Sequence, residues 1–258
     1  MVEEFARGAM PIGSYYRIGS EILTRYGKHF LVLILLIVLP TSVMGQDWFL
    51  SAVRDYSPSL GSIAAIAAIV FPQLLQFAAI IYVVLLAAHE LQRKVVTAGS
   101  LTALVRDNYL PVLGGSIVYL LFVIVGLVLL VIPGLIIGLL FCFYLEFMLI
   151  EHEGIFAAFT KSLDLVRKYF WRTVLVNLAF MLPLAMGIVL PDILDFDPLQ
   201  NTVNSFVFSA YNLIITLPHI VFFFNLIAMQ KADRAALNLV AAEIQAGAAT
   251  AAETQSTD

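Results

Sequence analysis

Six stretches of the chain are almost free of charge and long enough to cross a bilayer, at about residues 30–48, 64–88, 112–132, 135–150, 173–190 and 207–229. Their apolar residues run on without alternation. A membrane helix needs roughly 20 such residues, whereas a barrel strand needs about 10 alternating ones, so the pattern predicts helices. The expected fold is all-α, a polytopic membrane protein with six transmembrane helices. Residues 108–145 hold no charged side chain at all. One helix of that length measures roughly 57 Å, nearly double the hydrocarbon thickness. The run must turn back, and Pro133 followed by Gly134 marks the expected reversal, because proline removes a donor and glycine tolerates a tight turn.

Three segments ahead of outgoing spans look alike: GSEILTRYGKHF at 19–30, GSLTALVRDNYL at 99–110 and TKSLDLVRKYFW at 160–171. Each sets a leucine two residues before an arginine and a tyrosine close behind: Leu23, Arg25 and Tyr26; Leu104, Arg106 and Tyr109; Leu165, Arg167 and Tyr169. The unit this predicts is a short interfacial amphipathic helix followed by a helical hairpin, three times over. True duplication and convergent juxtamembrane composition both produce such likeness. The last copy is the clearest, with Ile155, Phe156, Phe159, Leu163, Val166 and Phe170 at helical spacing and Lys161, Asp164, Arg167 and Lys168 elsewhere. In that arrangement the apolar face sinks shallowly into lipid while Arg25, Arg106, Lys161, Arg167 and Lys168 reach lipid headgroups.

Composition agrees with a membrane protein. The chain is 61% hydrophobic and 12% charged, with a mean hydropathy of +0.96, more apolar surface than a water-soluble chain of this length hides. Thirteen of the 14 basic residues fall on one side of the six-span arrangement, Arg54 alone on the other, which places both termini in the cytoplasm. A net charge of -4 argues against nucleic-acid partners. The segment 1–245 reads as a single transmembrane domain, and the Ala-, Thr- and Gln-rich residues 246–258 read as a disordered tail. The N-terminal charges are too mixed for a secretory signal, so the first apolar run is expected to stay as a span.

Candidate chemistry is sparse. The one cysteine, Cys142, rules out a disulfide framework and reads as a small buried hydrophobe. Neither a metal nor any other cofactor is expected: the histidines fall at different depths, and no phosphate, dinucleotide or hydrolase motif occurs. The aspartates of PDILDFDP read as a solvated acidic loop. What remains are polar residues inside spans: Gln73 and Gln76 after Pro72, Asn177 before Pro183, Asn212 and Asn225 flanking Pro218 and His219, and Glu146. Kinked helices with internal polar groups are what a solute path requires, yet isolated amides also serve as glue between helices. Glu146 stands roughly 6 Å of helix from its span end. It is expected either to pair with a cytoplasmic arginine or lysine or to belong to a pathway. Gly134 and Gly138 suit a close helix approach, either to a second copy or to the adjacent third helix, and Ala64, Ala65, Ala67, Ala68, Ala78 and Ala79 make the second span slim.

The stretches GSYYRIGSEILTRYGKHFLVLILLIVLP and LLVIPGLIIGLLFCFYLEFMLIEHEGIFAAFTKSLDLVRKYFWRTV resemble a family of bacterial inner-membrane proteins related to the membrane domain fused to some glycerophosphoryl diester phosphodiesterases. The resemblance implies six spans in a bacterial cytoplasmic membrane and supplies no defined reaction, since the phosphodiesterase barrel and its acid and histidine set are absent. The leading expectation is a non-enzymatic membrane protein supporting envelope or lipid-associated processes through lipid or protein binding. Its expected partners are membrane lipids, anionic ones included, and a membrane-protein partner or a second copy. The alternative is a small-solute or lipid transporter using the polar sites of the kinked helices.

Overall fold

The computed structural model describes residues 8–44, 51, 61–95, 97–180, 182 and 198–255. Every regular element in them is helical: α1 (Ile12–Arg25), α2 (Gly27–Leu33), a π-helical turn (Ile34–Val38), α3 (Leu39–Met44), α4 (Gly61–Leu91), α5 (Ala98–Leu129), α6 (Val131–Leu140), α7 (Tyr144–Ile150), α8 (Ile155–Lys168), α9 (Phe170–Phe180) and α10 (Pro198–Gln255). Among the described residues four stretches are long and apolar enough to cross a membrane: Val70–Leu91, Ala98–Leu129, Val131–Ile150 and Thr202–Leu239. Ile12–Arg25 and Gly27–Val43, bent by 82°, make a fifth if counted as one span. The fifth expected span, 173–190, begins as α9, and its remainder, residue 181 and residues 183–190, lies outside the described residues, as do residues 45–48 of the first span and the aspartates of PDILDFDP.

The reversal in the long uncharged run falls at Leu130, three residues before the expected Pro133. Leu130 is extended, with φ -165° and ψ 143°, and α6 starts at Val131. Proline is at home in a first helical turn, where its missing N–H would have no partner anyway. The glycines act on the adjacent helix. A Cβ on Gly134 would stand 2.6 Å from the backbone nitrogen of Leu127, and one on Gly126 would stand 2.8 Å from the Gly134 Cα, so α5 and α6 cross backbone to backbone.

The three elbows differ from expectation in two ways. α1 ends at Tyr26 (φ -105°, ψ 22°) and α8 at Tyr169 (φ -120°, ψ 35°), each a kink before the next helix. The middle copy has no kink: residues 99–110 are the first turns of the unbroken α5, begun by a Thr97 and Ser100 capping box. Much of the apolar face of α1 and of α8 is also covered by protein, although Phe156 of the α8 stripe stays exposed. Tyr15, Ile18 and Ile22 of α1, and Ala158, Phe159, Leu165 and Val166 of α8, are buried against the bundle. A stripe that suits the bilayer surface suits a groove between helices equally, and here the groove takes it. Gly19 of α1 lets that helix close on Pro218 of α10, where an added Cβ would meet the proline ring at 3.0 Å.

α10 stays helical to Gln255, beyond residue 246 where the composition predicted order to end. Alanine has the highest helix propensity, so the Ala-rich end extends a helix already nucleated upstream. A buried core of α4 and α10 residues, among them Ile81, Val83, Val84, Leu217, Ile220 and Phe222, holds the bundle together.

Candidate functional site

Span four does not run straight. It breaks at residues 141–143, where Phe141 and Phe143 leave helical geometry. Ser162 of α8, fully buried, mends the break: its hydroxyl donates to the Leu140 carbonyl at 2.9 Å and accepts from the Phe143 N–H at 3.2 Å. Without that hydroxyl a donor and an acceptor would be buried unpaired. The break also turns α7 so that Phe143, Glu146 and Phe147, spaced three and four apart, meet His219, Phe222 and Phe223 of α10 at the same spacing.

At the centre of this contact the Glu146 Oε1 lies 2.8 Å from the His219 Nδ1. Phe143 stacks on the imidazole at 5.0 Å between centroids, and Phe180 meets it edge-on at 6.3 Å. Glu146 is 2% exposed, and its Oε2 is buried without a hydrogen-bond partner. The partner of Glu146 is thus the imidazole, and no arginine or lysine approaches it within salt-bridge distance among the described residues.

A cavity of about 230 Å³ opens beside the pair, bordered by Cys142, Glu146, Asn177, Asn212, Thr216 and His219. Asn212, Thr216 and His219 sit at i, i+4 and i+7 on α10, one stripe of a helix. Asn177 donates to the Thr173 carbonyl at 3.0 Å and Thr216 to the Asn212 carbonyl at 3.0 Å. Other buried polar atoms without partners, Arg172 Nε and Asn204 Nδ2, belong to residues that do not border this cavity. Four of the seven polar residues singled out in the sequence, Glu146, Asn177, Asn212 and His219, therefore share one cavity.

The other three do not join it. Gln76 donates to Thr41 Oγ1 at 2.8 Å and to Ser209 Oγ at 3.4 Å, tying α3, α4 and α10 together as glue. Gln73 is exposed on the outside of α4. Asn225 belongs to a separate knot in which its amide donates to the Gly8 carbonyl at 3.0 Å and its carbonyl accepts from the Tyr15 hydroxyl at 3.0 Å and from Arg172 at 3.2 Å. Arg172 also donates to the Tyr15 hydroxyl and, at 2.6 Å, to the Met10 carbonyl, which pins the N-terminal segment to α10. Thr216, Phe143 and Ser162 were not assigned to a site from sequence; the stripe spacing of Thr216 with His219 was the available signal.

Of the basic residues expected at headgroups, four hold carboxylates of this chain. Arg25 pairs with Glu90, whose second oxygen accepts from the Tyr26 hydroxyl at 2.7 Å. Lys168 pairs with Asp233 at 2.8 Å, and the Tyr169 hydroxyl donates to the same oxygen at 2.7 Å. Lys161 holds both Glu151 and Glu153 at 2.7 Å, and these two carboxylates keep its ammonium above the ordinary lysine value. Arg106 pairs with its neighbour Asp107 at 3.1 Å, both exposed, while Arg167 is exposed.

A second, larger cavity of about 510 Å³ lies between α2, α4 and α5; it is almost wholly apolar and holds no carboxylate, so the chemistry resides in the smaller one. No group of three or more His, Cys, Asp or Glu arranged for a metal occurs among the described residues. Comparison with family models, with curated proteins and with solved structures returns no match to this chain.

Proposed function

We propose that this membrane protein is a transporter of a small polar solute, and that the cavity beside Glu146 and His219 is where the solute rests inside the bilayer. One observation carries the reading: Glu146, whose Oε2 is buried without a hydrogen-bond partner, borders a cavity that Asn177, Asn212, Thr216 and His219 also line. A buried polar atom left unpaired costs about 1–3 kcal/mol, and more when charged, so its retention needs a reason such as an occupant. The volume admits only a small guest, since a water occupies about 30 Å³ of liquid and the cavity about 230 Å³. His219, with Nδ1 2.8 Å from Glu146, adds an imidazole to the polar lining. Polar groups at a broken helix inside the membrane are also the usual makings of a transport site.

The alternative, a non-enzymatic protein serving envelope or lipid-associated processes, draws its support from the basic elbows. That support is thinner, because Arg25, Lys161 and Lys168 are engaged with carboxylates of their own chain. The test is uptake into proteoliposomes of labelled sodium, methylammonium, acetamide and glycerol by the wild type and by Glu146→Gln. The expected result is uptake of at least one solute by the wild type, lowered at least about tenfold in the variant, as loss of a charge-assisted contact of roughly 1.4 kcal/mol or more would give. Equal fluxes through both folded proteins for all four solutes would overturn the proposal.

A further inference from the structure

The larger cavity lies apart from the polar site and has its own composition. Its floor is Ala78 and Ala79 of α4, whose small side chains leave room between α2 and α5. Val32, Leu33 and Ile37 form one wall, and Thr102 and Val105 form the other. At about 510 Å³ it falls within the ~300–1,000 Å³ typical of ligand sites. Water gains little in a groove with so few polar groups, so its occupant is apolar.

The surroundings identify the source of that occupant. Leu31, Val32, Leu35 and Leu36, on α2 and the π turn, are each more than half exposed, an outward face that only hydrocarbon suits. At the rim stand Lys28 and His29. The His29 ring is fixed by its Nδ1, 2.6 Å from the Tyr82 hydroxyl, which leaves Nε2 free of that bond. Lys28 is exposed and forms no ion pair among the described residues, in contrast to Arg25, Lys161 and Lys168. A cation at the mouth of an apolar groove that opens to lipid matches a molecule with an apolar tail and an anionic head.

We propose that this groove holds one acyl chain of an anionic phospholipid, with the phosphate against Lys28. The site does not depend on the transport reading. Native mass spectrometry of the full-length protein, purified in detergent and titrated with phosphatidylglycerol or phosphatidylcholine of equal chain length, tests it.

The wild type is expected to retain one phosphatidylglycerol about fivefold in preference to phosphatidylcholine, the gain one lysine near an anionic surface confers. Thr102→Trp, at an exposed position that tolerates bulk, fills the groove and loses both lipids. Val105→Phe, on the same wall, does the same, and a thermal melt of each variant confirms the fold. Lys28→Gln keeps a bound lipid and brings the preference to about one. Equal retention by the wild type and a folded Thr102→Trp would overturn the groove as the site. An undiminished preference in Lys28→Gln would overturn the role of the charge.

Discussion

Glu90 and Glu146 both end up beside another helix, yet they are provided for differently. Glu90, near the end of α4, has one oxygen held by Arg25 and the other by Tyr26. Asp233 on α10 likewise meets a base and a tyrosine, Lys168 and Tyr169, both at its Oδ2. In both cases a base and the tyrosine at an elbow kink meet one carboxylate on a later helix. Glu146 has one imidazole and an oxygen with no partner, although it is the more deeply buried. Two donors on each rim carboxylate mark those groups as fasteners. Partial satisfaction inside marks Glu146 as a group with capacity to spare.

The largest effect that would break this contrast is expected from His219→Ala. Removing the one partner that a buried carboxylate has among the described residues costs about 3–5 kcal/mol, read as a fall in the unfolding midpoint in detergent, and adding Glu146→Gln should recover much of it. If His219→Ala is as stable as wild type, Glu146 is no more dependent on its partner than a rim carboxylate. Ser162→Ala comes next, at about 1–3 kcal/mol, because Leu140 and Phe143 lose their mutual partner at the helix break. Hydrogen exchange at the Phe143 amide should rise in the same variant.

The rim is expected to respond less. Glu90→Gln should lower stability by about 1 kcal/mol, and Arg106→Ala, whose pair with Asp107 is exposed and lies in the unkinked middle copy, by less than about 0.5 kcal/mol. Equal losses in the two would erase the distinction between outer and middle repeats. Smallest of all is the Lys161 cluster. Its ammonium is held above the ordinary lysine value by Glu151 and Glu153, so its contribution is fully present below that value and is lost as pH rises through the raised one. For so exposed a group the loss is below about 0.5 kcal/mol, visible as a decline in melting temperature confined to strongly alkaline solution in wild type and absent in Lys161→Met.

The helical membrane architecture was legible because continuous apolar runs have one physical solution in lipid. So was the list from which the site is drawn, since Glu146, Asn177, Asn212 and His219 are conspicuous in apolar surroundings. Their assembly was not. Hydropathy ranks depth along each helix but carries no information on rotation about it, and rotation decides that Glu146 meets His219 while Gln73 faces outward. The pairing left a trace in the matched spacing of Phe143, Glu146 and Phe147 with His219, Phe222 and Phe223, which a moment calculation on either helix alone does not read. The kinks at Tyr26 and Tyr169 and the unbroken course past Tyr109 likewise follow from partners distant in sequence. Tyr26 and Tyr169 reach carboxylates, whereas Tyr109 donates to the Leu74 carbonyl at 3.0 Å.

The turn at Leu130 has a practical consequence. Its N–H donates to the Gly126 carbonyl at 3.0 Å, its carbonyl accepts from Gly134 at 3.2 Å, and Leu129, Leu130, Val131 and Ile132 present only hydrocarbon around it. Such a tip offers a protease neither an extended strand to thread nor a polar loop to seize, and it gives an antibody no epitope outside the lipid. Digestion of sealed vesicles from the face nearer that tip should leave the peptide joining α5 to α6 intact.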